Sequence, residues 1–331
     1  MRTFLRGVFL LALCPGFFLP RAWAHGGHTH TVVPRTGVEE GSISGAATLR
    51  SPTPSVLGKN HGIAGFSFDY LRYRPIPPSD AHRLHHRGHD VHGKNHDETY
   101  SLVGGIGILN DLDLYVSAPI VSKSSIEVHD HELLGDKERA AGFGDMRAVL
   151  KYRFLKRFVE AAVLAGMKFP TGRTKAKRRS GDKFAAENQP GSGSWDGQFG
   201  IAAARRVYRR LSAVTSFEYS LNGEGAEDHK LGDVFRYNLG TSVLLRESGI
   251  YPNLSMIAEL NHEWALKDHS REAARVMDSG GTSIFVSPGV ILDLTGQWSF
   301  FWGMSLPVYQ NLGGKHEETR FSMTAGTTFA F

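Results

Sequence analysis

From about residue 63 to residue 331 the chain alternates between apolar side chains and small or charged ones. Ala64, Phe66, Phe68 and Tyr70 share one parity; Gly65, Ser67, Asp69 and Leu71 share the other. A period of two is the mark of β-strands. The pattern recurs near 99–109, 112–121, 143–154, 159–169, 197–207, 212–221, 234–246, 254–265, 282–293, 298–308 and 320–331. With the first, that makes twelve segments of roughly ten residues, and a tilted membrane strand needs about 9–11. The intervals alternate as well. Asn110-Asp111, 155–158, 208–210, 248–253 and Thr295-Gly296 are short, whereas 75–98, 122–142, 170–196, 222–233, 266–281 and 309–319 are long and polar. Outer-membrane barrels combine short periplasmic turns with long outer loops. The pattern therefore predicts an all-β fold: an antiparallel transmembrane β-barrel of about 12 strands over residues 61–331. Both barrel ends would be periplasmic, and loops such as 75–98 and 170–196 extracellular.

Side-chain parity sharpens this. In 143–154, Met146, Ala148, Leu150, Tyr152 and Phe154 share one face, and Arg147, Lys151 and Arg153 the other. A soluble sandwich buries the first face; a barrel turns it to lipid and keeps the charges inside. Periodicity alone does not separate the two. Aromatics at segment ends suit interfacial girdles, although Tyr73 and Tyr115 fall on the inward parity. The last segment alternates through Phe321, Met323, Ala325, Thr327, Phe329 and Phe331. Its Phe329 and terminal Phe331 resemble the signal read by the bacterial outer-membrane assembly machinery, which favours the barrel.

The first 24 residues read as a signal peptide. Arg2 and Arg6 are followed by a short apolar core, and Ala22-Trp23-Ala24 is an A-x-A cleavage site, so the mature chain would begin at His25. Pro15 and Pro20 argue against a buried helix. Residues 25–60, rich in His, Gly, Pro, Ser and Thr, read as a periplasmic tail. The single cysteine, Cys14, lies inside the leader, which excludes disulfide chemistry in the mature chain. Acylation of Cys14 is disfavoured by the bulky Leu13 before it. Cleavage also removes Arg2, Arg6 and Arg21, lowering the net charge from +5 to +2 (5 − 3). A surplus of that size gives no reason to expect nucleic-acid binding. The destination is the outer membrane of a Gram-negative bacterium, with membrane lipid and the assembly machinery as partners.

Several blocks resemble one family. Gly144-Asp145 precedes Lys151-Tyr152-Arg153-Phe154, and Phe169-Pro170-Thr171-Gly172 ends the next segment. Pro190-Gly191-Ser192-Gly193-Ser194-Trp195-Asp196 opens another; Gly232-Asp233, Tyr237-Asn238 and Asn261-His262-Glu263-Trp264 follow. In this order they resemble the MetA-pathway of phenol degradation family of outer-membrane transporters. The resemblance implies a barrel over roughly residues 60–331 and uptake of aromatic compounds. It implies no catalytic motif.

The inward parity carries Asp69, Asp113, Arg147, Lys151, Arg153, Glu160, Lys168, Glu218, Arg236, Glu259 and Glu263. These are the candidate lumen residues. They form either a polar pore, with a basic strip on 143–169 and an acidic wall on 254–265, or a self-neutralising network in a narrow barrel. Arg153 and Glu160 flank a short turn and should face each other.

Sixteen histidines are many for this length. His25, His28 and His30 open the mature chain, and His82, His85, His86, His89, His92 and His96 crowd the first long loop. Imidazoles gathered on a tether suit Cu²⁺, Zn²⁺ or Ni²⁺. No fixed ligand constellation is present, so a solvated polar loop is the competing reading. No cofactor is required; a divalent transition metal is the one candidate. An enzyme reading, an outer-membrane phospholipase, would need a serine beside an activating base. Asn261-His262 supplies none, and His262 shares the lipid-facing parity of Leu260 and Trp264. The expectation is a non-enzymatic channel passing small solutes by diffusion. The alternatives are a metal-binding outer-membrane component, with metal ion as the substrate, and a structural or adhesive barrel.

Overall fold

The computed structural model describes residues 44–75, 92–127, 137–246, 249–270, 279–313 and 318–331, without the side chains of 92, 93, 125–127 and 137. The leader, His25, His28, His30, His82, His85, His86 and His89 lie outside these residues. Thirteen strands follow in chain order: β1 (Gly62–Tyr73), β2 (His92–Leu109), β3 (Leu112–Glu127), β4 (Lys137–Phe143), β5 (Arg147–Lys156), β6 (Glu160–Lys168), β7 (Asp196–Tyr208), β8 (Leu211–Leu221), β9 (Val234–Leu244), β10 (Asn253–Ala265), β11 (Gly281–Asp293), β12 (Trp298–Leu312) and β13 (Thr319–Ala330). Each pairs antiparallel with its neighbour, and β2 pairs with both β1 and β3, so the sheet closes on itself. The ring has twelve members. The remaining strand, β4, pairs with one half of β3 (Ile120↔Phe143 to Ile126↔Lys137), while β5 pairs with the other (Leu112↔Tyr152 to Ser117↔Arg147). They are two halves of one lane, broken at Gly144-Asp145-Met146. The single strand expected over 143–154 is therefore split.

The faces settle barrel against sandwich. Along β9, Val234, Arg236, Asn238, Gly240 and Ser242 are buried, and Tyr237, Leu239, Thr241 and Val243 between them are exposed. Leu102 is 67% exposed and Phe154 51%, whereas Asp113 and Glu160 are 0% and Glu259 2%. Large apolar side chains outside and charged ones inside is the inversion a bilayer requires. The seam closes through the C-terminal strand: the Gly62 amide donates to the Phe331 carbonyl (2.7 Å), and the Phe331 amide to Gly62 (2.9 Å). Phe329 packs on Trp298 with ring centroids 4.9 Å apart. Tyr73 does face inward, its hydroxyl bonded to Asp97 at 2.8 Å.

Two expectations change. First, residues 92–98, 122–127 and 137–142 are strand, not loop. Beyond Tyr100 the outward parity turns from apolar to charged, with Glu98 paired to Arg139. The ladder continues above the height that lipid would cover, where apolar alternation is no longer demanded. His92 and His96 therefore lie on a strand; they are not spaced along a helical loop. Second, residues 44–57 do not hang below the barrel as a tail. They enter it and return to β1 within the lumen, buried along almost their whole length.

Candidate functional site

A segment without regular ladders must have its buried amides and carbonyls satisfied by other groups. Here the inner wall satisfies them. The Ser44 amide donates to Glu160 at 3.1 Å, and the Ser44 hydroxyl also bonds Glu160. The Ala47 amide donates to Ser242 Oγ at 3.0 Å. The Leu49 and Arg50 amides donate to Glu259 at 2.8 and 3.1 Å. The Leu57 amide donates to Asp113 at 2.8 Å, and Lys151 Nζ donates to the Ser55 carbonyl while lying 4.8 Å from the Tyr115 ring. Arg50 reaches the hydroxyls of Ser305 and Ser322 (2.7 Å to the latter) and lies beside Asp69.

Leu49 supplies the apolar anchor. It packs with Ala47 on Ile257, Ile291 and Phe301, three apolar side chains on the inward parity. Gly289 and Gly303 stand opposite one another on β11 and β12. A Cβ there would lie 1.9 and 2.4 Å from Leu49 Cδ1, so the wall has a socket that only glycine leaves open. On the far wall Ala46 meets Ala204 and Val214. Sequence reasoning missed this plug. Its signal was the inward Ile257, Ile291 and Phe301, which have no business facing water in an open pore.

Above the plug runs a neutral ladder. Asn238 Nδ2 donates to Ser216 (3.0 Å), Asn261 Nδ2 to Asn238 (3.0 Å), and Ser287 to Asn261 (2.6 Å). Nearer the long-loop end lies a small, partly open cleft lined by Arg147, Lys168, Asp196, Gln198, Ser220 and Arg236, among others. Lys168 is ion-paired to Asp196. Arg236 Nε donates to Glu263 at 2.9 Å and its Nη1 to Ser220 at 3.1 Å. Gln198 Nε2 donates to Glu218 at 2.7 Å.

The eleven candidate lumen residues thus separate by role. Asp113, Lys151, Glu160 and Glu259 hold the plug, and Asp69 lies beside Arg50. Arg147, Lys168 and Arg236 line the cleft, with Glu218 and Glu263 bonded to its walls. Arg153 bonds Asp111 (2.7 and 2.9 Å) and meets Glu160 at 3.4 Å, both members of that second pair being buried. The acidic wall foreseen on β10 is divided: Glu259 serves the plug and Glu263 serves Arg236.

The motif blocks converge on the loops around the cleft. Asp145, at the break between β4 and β5, accepts from the Gly172 amide (2.9 Å) and from the Ser192 amide and hydroxyl (2.8 and 2.7 Å). The backbones of Gly172 and Gly191 cross so closely that a Cβ on either would lie 2.6 Å from the other's Cα. Asp196 accepts from Ser194 (2.8 Å) and the Gly223 amide (3.0 Å). Asp233 accepts from Tyr219 (2.6 Å) and the Asn222 amide (3.0 Å), and the Gly232 amide donates to Asp268 (2.7 Å). These acids fasten loop to loop.

For a metal the described residues offer little. They contain no group of three or more His, Cys, Asp or Glu placed to hold an ion. His96 stacks on Tyr70, ring centroids 5.5 Å apart, and His229 pairs with Asp268 at 3.3 Å.

The profile of the family described as "Putative MetA-pathway of phenol degradation" matches residues 89–319. No curated protein matches the sequence significantly. The barrel is similar to the crystal structure of an outer membrane channel from Pseudomonas putida F1: 12% identity, TM-score 0.58, 86% of this chain covered and 100% of that one. That likeness is one of fold. The β-domain of the Bordetella autotransporter BrkA aligns at 9% identity and TM-score 0.46 over 82% of this chain and 100% of that one. The NanC porin aligns at 8% and 0.44 over 81% and 98%. These two scores are too low to carry any argument.

Proposed function

The chain belongs to the family whose profile it matches, and from that premise we propose that it is an outer-membrane channel for small solutes, closed at rest by residues 44–57. The long loops face the cell exterior and the short turns the periplasm. The protein is a conduit without catalytic chemistry. The observation that carries this reading is the inner wall itself. Between apolar lipid-facing side chains it presents a largely polar surface, broken by the apolar patch under the plug, which suits water and solute once the plug is displaced. The plug is held by hydrogen bonds, one ammonium-to-carbonyl contact and the apolar packing of Ala46, Ala47 and Leu49, with no β-ladder of its own. Such a segment opens locally more readily than the barrel around it.

The test is conductance in planar bilayers. The parent should give small or intermittent currents. Replacing 44–57 by an equal-length Gly–Ser linker should enlarge them severalfold while the barrel stays folded. A folded, linker-substituted barrel that conducts no better than the parent would refute the closed-channel reading.

A further inference from the structure

Three cations line the cleft, and two are engaged within the protein. Lys168 is held by Asp196 and, at 3.2 Å, by Ser194 Oγ; Arg236 is held by Glu263 and Ser220. Arg147 is different. Among the described residues no hydrogen bond or ion pair engages its guanidinium, although it is only half-exposed and carries five N–H donors. A polar group so placed normally has a partner.

The carboxylates in whose field it sits are Asp145, Asp196 and Glu218. Each is already occupied: Asp145 by Gly172 and Ser192, Asp196 by Lys168, Ser194 and Gly223, Glu218 by Gln198. Register explains the imbalance. Arg147 stands opposite Lys168, and Lys168 opposite Asp196, so the one acid lining the cleft is taken by the lysine. The lining charges are Arg147, Lys168 and Arg236 against Asp196 alone. The other polar groups there, Gln198, Ser220 and Asn222, are neutral.

We propose that this cleft binds the carboxylate of a small organic anion, with Arg147 as its bidentate donor. A planar guanidinium fork matches a carboxylate in both geometry and charge. A single open guanidinium among neutral amides and a hydroxyl suits a monoanion better than a phosphate dianion. Location gives the site a purpose that rests on the channel reading. Arg236 pairs in register with Glu263, four positions along β10 from Glu259, which holds the plug. An anion entering between the long loops therefore reaches Arg147 before it reaches the plug.

The experiment is calorimetric titration of benzoate into the folded, detergent-solubilised protein, with benzamide as the uncharged probe of the same shape. Benzoate should bind at least about tenfold more tightly than benzamide. Arg147→Gln should weaken benzoate by about tenfold or more, the loss of charge-assisted hydrogen bonds, and Arg147→Lys should retain part of the affinity. No benzoate binding, equal binding of benzoate and benzamide, or unchanged affinity in Arg147→Gln would each overturn the site. The benzoate–benzamide comparison on the parent decides the matter even if a variant misfolds. Conductance on the same preparation keeps the two readings apart. A conducting protein that ignores benzoate loses the anion site and keeps the channel. A benzoate-binding protein that never conducts loses the channel and keeps the site.

Discussion

Leu49→Ala is the most direct probe of the plug. The side chain is buried against Ile257, Ile291 and Phe301 and over Gly289 and Gly303. Truncation removes three carbons, about 0.8 kcal/mol each in transfer, so about 2.4 kcal/mol before any term for the cavity left behind. The barrel hydrogen bonds are untouched, so the loss falls on the docked plug and not on the sheet. With about 1.4 kcal/mol per decade, the equilibrium for plug release should shift by a factor of about fifty. The readout is a thiol at Ser51→Cys, a fully buried plug position in a chain whose one native cysteine is Cys14. If labelling proceeds through the released state, its rate should rise by a similar factor when Leu49 is truncated. Equal rates in a barrel that still runs as a folded, heat-modifiable band would show that Leu49 does not hold the plug.

Three further outcomes follow from the same geometry. Gly289→Val should release the plug more strongly than Leu49→Ala, because a Cβ at 289 already collides with Leu49, and larger bilayer currents should report it. Asp145→Asn should cost the 170–195 loop roughly 1–3 kcal/mol of anchoring through weakened acceptance from Gly172 and Ser192; faster proteolysis there with an intact barrel core is the expected pattern, and unchanged cleavage kinetics would count against it. A cysteine at the exposed Lys177 should react with a membrane-impermeant reagent on intact cells; labelling only after the outer membrane is broken would invert the proposed orientation.

Much of the barrel was legible because a bilayer imposes a strict rule on each strand. Lipid demands an apolar side chain at every second position, and closure demands an even alternation of short and long connections. The rule lapses where lipid ends, which is why the upper parts of β2 and β3 and all of β4 read as loop: Glu98 and His96 there carry no apolar period. It is also silent about the lumen. Parity turns Glu259, Glu160 and Asp113 inward but gives no hint that their acceptors meet backbone amides and not water. The segment that supplies those amides, 44–57, has no period at all, because each residue is fitted to a different wall. The Gly144-Asp145 and Gly191-Ser192 blocks were visible as words. Their contact, across about fifty residues of sequence, was not.

The plug and the wall explain one another's oddities. Glu160, Glu259 and Asp113 are almost fully buried acids, and Ile257, Ile291 and Phe301 are apolar residues in a lumen where polar ones are the norm. Either set would be costly beside the wrong neighbour: acids without donors, or aliphatics against water. A docked plug resolves both at once, with amides for the acids and Leu49 for the aliphatics. Release would reverse both, but unequally. Water can replace an amide as partner of a carboxylate, so rehydrated acids lose little, whereas the emptied glycine socket and its apolar rim have no polar substitute for Leu49. On the proposed channel reading, closure therefore depends chiefly on the apolar packing of Leu49 and the two glycines that admit it. The carboxylates fix where the segment lies, and once hydrated they become part of the polar wall that an open pore requires.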